Sequence, residues 1–444
     1  MLASASVGTV EYRSMTESVR DANPTMDEYI QGKATDVDLQ NKRVTVQLNS
    51  LLPDLERGEP PIITLDYDHL IVAVGNRVYD ANVPGAKENC LRLKTSDDAR
   101  RLRTAVSEAF EYASRPGLTK EERARRVTFV VVGGGPTGVE LAGELSDFCH
   151  DMTQGRKAPY AKLSNLTKVV LVHGGSELLP QFDADLRPEA LRALQKRGVD
   201  VILNTRVTKV QHETVQLSTK VLDEQGKPTG ERTESSQPKG LSIWCAGIAP
   251  VPFVDCLLSK LPEQARGQGG RVHVDRWLRP PMPSEDLLGS VMVLGDAASL
   301  PCRRKSNEVL PQTAQVAGQQ GAYLARLLTR GYNLTEPVPS LPCAKDEEIP
   351  CADPSLSLWL MFRNLETAPG FNFLNLGLLA YLGGGKALSQ VQIGDVPVFS
   401  YAGSVAFVLW RSVYLVKQVA TRNRVLVTFD WIKSALFGRD TTRL

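Results

Sequence analysis

The chain has 444 residues, enough for two or three domains and a sizeable core; 42% are hydrophobic and 23% charged, ordinary for a soluble or peripherally bound globular protein. The formal net charge of +2 argues neither for nucleic acid nor for an acidic partner, and no nucleic-acid role is expected. Seven cysteines (Cys90, Cys149, Cys245, Cys256, Cys302, Cys343 and Cys351) contain no C-x-x-C pair, which fits reduced thiols better than a disulfide framework or a zinc site. Pairing of Cys343 with Cys351, which flank an acidic loop, stays open; no metal is expected.

No secretory signal is legible at Met1–Tyr12. Ala34–Val46 alternates as a half-buried hairpin does, and Ile62–Gly75 ends in an apolar strand. A charged helix is predicted over Ser96–Ser114. Val127–Val132 is a β-branched run of the kind buried on both faces of a parallel sheet. The helix that follows, Gly138 to about Met152, carries Leu141, Leu145 and Phe148 on one face. Lys168–Val172 is the next strand, Pro188–Arg197 a helix with proline at its start, and Val199–Leu203 another strand. Alternating strands and helices imply right-handed βαβ units and a doubly wound sheet. Gln225–Lys239 is polar and reads as a solvated hairpin loop. A strand at Ser290–Leu294 and a helix near Pro311–Leu328 follow, and the chain holds no internal tandem repeat.

The C-terminal region is amphipathic. Val396–Trp410 has fifteen uncharged residues, short of the roughly 18 that a spanning helix needs. Val425, Phe429, Ile432 and Leu436 then recur at helical spacing, with Arg422, Arg424, Lys433 and Arg439 between them. From Tyr401 onward there are seven Lys/Arg against two Asp, with Trp410 and Trp431 as interface-type aromatics. The pattern is that of a basic helix lying in a membrane surface, the alternative being a helix packed on its own protein or at a dimer interface.

The sharpest signal is Val130–Leu145, VVVGGGPTGVELAGEL, where Gly133, Gly135 and Gly138 form G-x-G-x-x-G between a strand and a helix. The first glycine permits the tight turn, the second lets backbone N–H groups approach a pyrophosphate, and the third lets helix and strand pack closely. The helix N-terminus then faces the phosphates with about half a positive charge. The acidic residue that reads the ribose of NAD is expected after Lys168–Val172, where the chain has His173, Gly174 and Gly175. A carboxylate repels the 2′-phosphate of NADPH and a histidine does not. With an unperturbed pKa of about 6.5, His173 predicts NADPH-tolerant use that improves as pH falls. The other reading leaves His173 in solvent and gives the ribose to Glu177.

YDHLIVAVG (Tyr67–Gly75), VPG (Val83–Gly85), the glycine turn, WCAGI (Trp244–Ile248), VMVLGDAA (Val291–Ala298), AQVAGQQG (Ala314–Gly321), YLGGGKAL (Tyr381–Leu388) and the C-terminal sequence together resemble the type II NADH:quinone oxidoreductases. These belong to the FAD-dependent pyridine nucleotide-disulphide oxidoreductase superfamily. The resemblance implies an α/β fold with two Rossmann-like dinucleotide-binding domains and a C-terminal amphipathic membrane-anchoring region. In that scheme residues 1–92 are the first part of the FAD domain, 93–250 the NAD(P)H domain, 251–340 the second part of the FAD domain and 341–444 the anchor.

It implies hydride transfer from NADH or NADPH to FAD and then electrons to a membrane quinone, without proton pumping. A homodimer bound peripherally to the mitochondrial inner membrane is implied, a plastid or other organelle membrane being the alternative. Gly133, Gly135, Pro136, Gly138, His173 and Gly247 would contact NAD(P)H; Gly75, Gly295, Asp296 and Ala297 would contact FAD. Glu140 would sit near the nicotinamide and flavin ring, and Gln315 and Gln319 would face the flavin and the quinone head group. Hydride chemistry belongs to the cofactors, so no side-chain nucleophile is expected. Similar proteins begin with an earlier strand and G-x-G-x-x-G for the ADP half of FAD. Neither stands upstream of Val7, so the resemblance also implies a flavin domain incomplete at its N-terminus, and a weakly active nucleotide-binding remnant as the alternative function.

Overall fold

The computed structural model describes residues 1–49, 60–223, 225–302, 308–341, 366–393 and 396–440. The chain divides into two compact units. One comprises Met1–Met26, Val78–Gly247 and Leu376–Leu444; the other comprises Asp27–Arg77 and Ile248–Asn375. This division differs from the linear one expected from sequence, because both chain ends pack onto the nucleotide-binding segment. Arg103 reaches Glu11 at 2.9 Å and Asp440 at 3.2 Å, so one guanidinium ties the two ends to the helix Ser96–Ala113.

The first unit is built on a parallel sheet of five strands in the order Leu91–Arg92, Leu241–Trp244, Thr128–Val132, Lys168–Val172, Val199–Ile202. Thr128–Val132 lies in its middle and is buried along its whole length, as a β-branched run without charge requires. The helix Ser96–Ala113 starts at a capping box made by Thr95 and Asp98 and buries Leu102, Val106, Phe110 and Ala113 against the sheet core. Phe110 meets Phe129 at 5.9 Å and Phe148 at 5.8 Å between ring centres. Truncating such a fully buried ring costs about 3–5 kcal/mol.

An antiparallel sheet of Thr205–Val210, Thr214–Leu222 and Pro228–Pro238 follows. The segment expected as a polar loop is therefore mostly strand. Its side chains are solvated, as their polarity implies, while its backbone is satisfied by the central strand.

In the C-terminal part of this unit, Leu378–Gly383, Lys386–Ile393 and Val396–Gly403 form an antiparallel sheet followed by helices Ser404–Val416 and Thr421–Phe437. The uncharged run from Val396 is thus split between a strand and a helix. No helix among the described residues is long and apolar enough to cross a membrane.

The second unit pairs the expected hairpin, Gly32–Asp38 with Arg43–Leu48, and adds Ile62–Asp66 to it. Leu70–Val72 runs parallel to Val291–Val293, whose three side chains are fully buried. The helix Ala314–Thr329 starts at Thr313, whose hydroxyl accepts the Val316 N–H and caps it. Val316, Leu324 and Leu327 face the core of this unit.

Candidate functional site

The strand Thr128–Val132 ends at Gly133, which has φ +119°, and the helix Pro136–Thr153 begins with Pro136 at its first position after Gly135. Each glycine of the motif has its own reason. A Cβ on Gly133 would come within 2.8 Å of the Ala246 nitrogen, and one on Gly138 would run into the Gly133 carbonyl oxygen. One on Gly135 would meet nothing within 4 Å, so its backbone faces open space at the positive end of the helix. A pyrophosphate fits that bare, electropositive corner. Gly247 closes the neighbouring strand end with φ +75°, its Cα held near the Tyr79 carbonyl, which also accepts the Trp244 indole N–H at 3.0 Å.

His173 stands at the end of the second strand, as expected, but its imidazole has a structural task. Its Nδ1 accepts the N–H of Gly134 at 3.1 Å, inside the glycine turn itself. Burial pushes its pKa below the usual histidine range. An Nδ1 that accepts must be unprotonated, so protonation of His173 would release the Gly134 amide. Glu177, the other candidate for the ribose, is exposed and paired with Arg187 at 2.8 Å.

Glu140 lies one turn into the glycine-turn helix and is 9% exposed. Its Oε1 accepts the Trp410 indole N–H at 3.1 Å and the Tyr381 backbone N–H at 3.3 Å. Burial raises its pKa. Glu144 and Asp147, at helical spacing on the same face, are buried too. Glu144 accepts from Ser4 at 2.7 Å, Thr9 at 3.1 Å and Arg439 at 2.9 Å. Asp147 accepts the Tyr381 hydroxyl at 2.6 Å and the Gly384 N–H at 2.9 Å, and pairs with Arg197. Glu140 was expected as a site residue, whereas Glu144 and Asp147 were not foreseen, because carboxylates at helical spacing resemble a solvated surface.

In the second unit Gly295, with φ +70°, begins the turn Gly295–Ala297 after the buried strand Val291–Val293. The Gly295 N–H donates to Oε1 of Gln320 at 2.7 Å, and Gln312 donates to the Asp296 carbonyl at 2.9 Å. Asn76, next to Gly75, donates to the Asp296 carboxylate at 2.9 Å. Gly75 has φ +68° with open space where a Cβ would stand, a bare approach suited to a flavin. Gln320 and Asn76 were not foreseen; a fully buried glutamine is a strong clue only once burial is known.

Gln315 is half-buried on the helix Ala314–Thr329. Gln319 departs from expectation: its amide donates to the Leu374 carbonyl at 2.8 Å and accepts the Leu374 N–H at 2.9 Å, so it holds the chain at Leu374 instead of offering a free amide to a quinone.

Cys90, Cys149, Cys245, Cys256 and Cys302 are free. Burial pushes the Cys245 thiol up to about 12, which makes it inert at neutral pH. Cys343 and Cys351 lie outside the described residues.

On the C-terminal helix Thr421–Phe437, Val425, Phe429, Ile432 and Leu436 are 51% to 66% exposed, while Asn423, Val427, Asp430 and Trp431 are buried. Apolar residues therefore stand on both sides of this helix, one set in the core and one in solvent. Asp430 accepts the Glu11 N–H at 2.9 Å and Asn423 donates to the Thr16 carbonyl at 3.1 Å, so the docked side adds these polar contacts to the apolar packing of Val427 and Trp431. Val425, Phe429 and Ile432 of the exposed stripe, together with Leu415 and Val416, line an apolar groove of about 440 Å³. Two expectations for this region are corrected. Trp410 and Trp431 are buried in the unit, and Arg439 is buried against Glu144 and Asp151, so none of the three faces a membrane.

A doubly wound dinucleotide fold, with a glycine turn at one strand end and a capped Gly–Asp turn in a second unit, defines a two-nucleotide oxidoreductase. Residues 2–321 match the pyridine nucleotide-disulphide oxidoreductase family and residues 375–440 match the NDH2 C-terminal domain. The chain is 31% identical over 449 aligned residues to the external NADH-ubiquinone oxidoreductase 2, mitochondrial, of Saccharomyces cerevisiae, an alignment that takes in 100% of this chain and 75% of the yeast protein. It is 31% identical to the internal alternative NAD(P)H-ubiquinone oxidoreductase A1, mitochondrial, of Solanum tuberosum, covering 100% of this chain and 80% of that protein. The structure of NDH2 from Plasmodium falciparum in complex with NADH shares the fold, with a TM-score of 0.79 at 21% identity over 99% of this chain and 91% of that one. The chain belongs to the pyridine nucleotide-disulphide oxidoreductase family and, within it, to the type II NADH dehydrogenases.

Proposed function

We propose that this protein oxidises NAD(P)H and reduces a membrane quinone without moving protons across the membrane. The overall reaction consumes NAD(P)H, one proton and a quinone, and yields NAD(P)+ and a quinol. The observation that carries this reading is the likeness, along the whole chain, to relatives whose names make them mitochondrial NAD(P)H-ubiquinone oxidoreductases. Bound FAD would supply the two-electron relay between nucleotide and quinone.

The residues divide the work. Gly133, Gly135, Pro136 and Gly138 present bare backbone and a helix N-terminus to the pyrophosphate of NAD(P)H, with Gly247 at the neighbouring strand end and His173 bracing the turn. Gly75, Gly295, Asp296 and Ala297 form the FAD contact, with the Asp296 carboxylate positioned by Asn76 and its turn held by Gln312 and Gln320. Burial favours the protonated form of Glu140, which suits it to hold the proton that a quinone needs beyond the hydride. Gln315 offers donor and acceptor to a quinone head group without a fixed charge, and Gln319 acts as a positioning residue through Leu374.

The exposed stripe on Thr421–Phe437 rests in the membrane surface as a peripheral anchor, consistent with mitochondrial inner-membrane residence and a homodimeric assembly. The test is the full chain with FAD in quinone-containing liposomes: NADH oxidation that depends on quinone, with no change of lumenal pH. Oxidation indifferent to quinone would overturn the reading.

A further inference from the structure

His173, Gly174 and Gly175 follow the second strand of the nucleotide sheet and are pinned in place by backbone bonds. The His173 N–H donates to Ile202 at 2.8 Å, the Thr205 N–H to His173 at 2.9 Å, and the Asn204 N–H to Gly175 at 2.9 Å. In a dinucleotide fold this is where the adenosine ribose is read, by a carboxylate for a 2′-hydroxyl or by an arginine for a 2′-phosphate. No acidic residue stands among the three, and Glu177 is engaged by Arg187.

What the fold brings there instead is a cation from another element. Arg206, second residue of the strand Thr205–Val210, lays its Cγ 3.5 Å and its Nε 4.0 Å from the point where a Cβ on Gly174 would stand. Its side chain is exposed, and no carboxylate among the described residues forms an ion pair with it. Directly across from Arg206 in the strand register is Ser218, whose Oγ accepts from Nε of Arg232 at 2.7 Å, so a second guanidinium serves the same row. Glu234 in that row stands on the third strand, about 10 Å from the Arg206 strand by ordinary strand spacing.

We propose that Arg206, presented over the bare backbone of Gly174, binds the 2′-phosphate of NADPH and makes this chain accept NADPH as well as NADH. A phosphate monoester carries about −1.5 to −2 near neutral pH and pairs with a guanidinium through two parallel hydrogen bonds, whereas the 2′-hydroxyl of NADH gains little from the same group. Selection thus comes from a neighbouring strand and needs no positive charge on His173. The inference rests on the glycine turn being the NAD(P)H site.

The test reads binding without flavin or turnover. Full-length protein is titrated calorimetrically with adenosine 2′,5′-bisphosphate and, separately, with 5′-AMP. The native chain should bind the bisphosphate about tenfold or more tightly than AMP, and Arg206→Gln should abolish that margin while leaving AMP binding and the melting temperature unchanged. In turnover the same variant should lose about tenfold in kcat/KM for NADPH and stay within about twofold for NADH. Equal affinity for the two nucleotides in the native chain, or a margin that survives Arg206→Gln, overturns the assignment while leaving the nucleotide site standing. Failure of both nucleotides to bind overturns the assignment together with the reading of the turn.

Discussion

At Gly138 an added methyl group would stand against the Gly133 carbonyl, whereas at Gly135 it would meet open space. The two substitutions should therefore separate. Gly138→Ala forces the turn apart and is expected to lower the melting temperature and nucleotide affinity together. Gly135→Ala should melt as the native chain does and raise the KM for NADH by about tenfold, since only the approach of the pyrophosphate is blocked. Thermal melts and steady-state kinetics on both variants check the contrast.

His173 gives a pH dependence of defined sign. Its pKa in the folded chain lies below the unfolded value of about 6.5, so its contribution to the turn is complete above about pH 6.5 and is lost as pH falls through the lower folded value. NADH affinity should weaken as the solution is acidified below that range. A histidine proton titration by NMR that places His173 above about 6.5 would contradict this.

The helix Pro136–Thr153 serves two sites at once: its N-terminus faces the nucleotide turn, and its acidic face receives the chain ends and the C-terminal sheet. Arg439 and Glu144 are buried together at 2.9 Å, with side chains only 9% and 5% exposed. Removing one partner leaves a buried charge uncompensated, so Arg439→Met should destabilise the protein by about 3–5 kcal/mol in chemical denaturation. Adding Glu144→Gln to that variant should restore a large part of the loss; a double mutant as unstable as the sum of the singles would contradict the pairing.

The strand and helix periods were legible in sequence, and so was the glycine turn, because each depends on neighbours within a few residues. The partners of the acidic face were not. Glu140, Asp147 and Glu144 find Trp410, Tyr381 and Arg439 across 270, 234 and 295 residues of chain, and nothing local distinguishes such carboxylates from solvated ones. The stripe Val425, Phe429, Ile432 and Leu436 was legible as a stripe, but which side of the helix docks was decided by Asp430 and Asn423, whose partners lie in the first 26 residues. Trp410 and Trp431 misled for the same reason: an aromatic residue in a basic helix serves a membrane surface or a small core equally well.

For the molecule as a whole, a nucleotide unit that also carries an exposed apolar stripe suits an enzyme whose one substrate is dissolved in water and whose other is dissolved in lipid. Phe429→Asp and Ile432→Asp lie on the exposed side, so the doubly substituted protein should keep its melting temperature and fail to co-sediment with anionic liposomes. Retained sedimentation would place the anchor elsewhere. Passage of electrons from a nicotinamide nucleotide to a quinone through FAD in one chain is checked by the visible spectrum of the purified protein without oxygen. Flavin bands that NADH bleaches and that added quinone restores are the expected result. Bands that NADH leaves untouched, or that stay bleached when quinone is added, would contradict it.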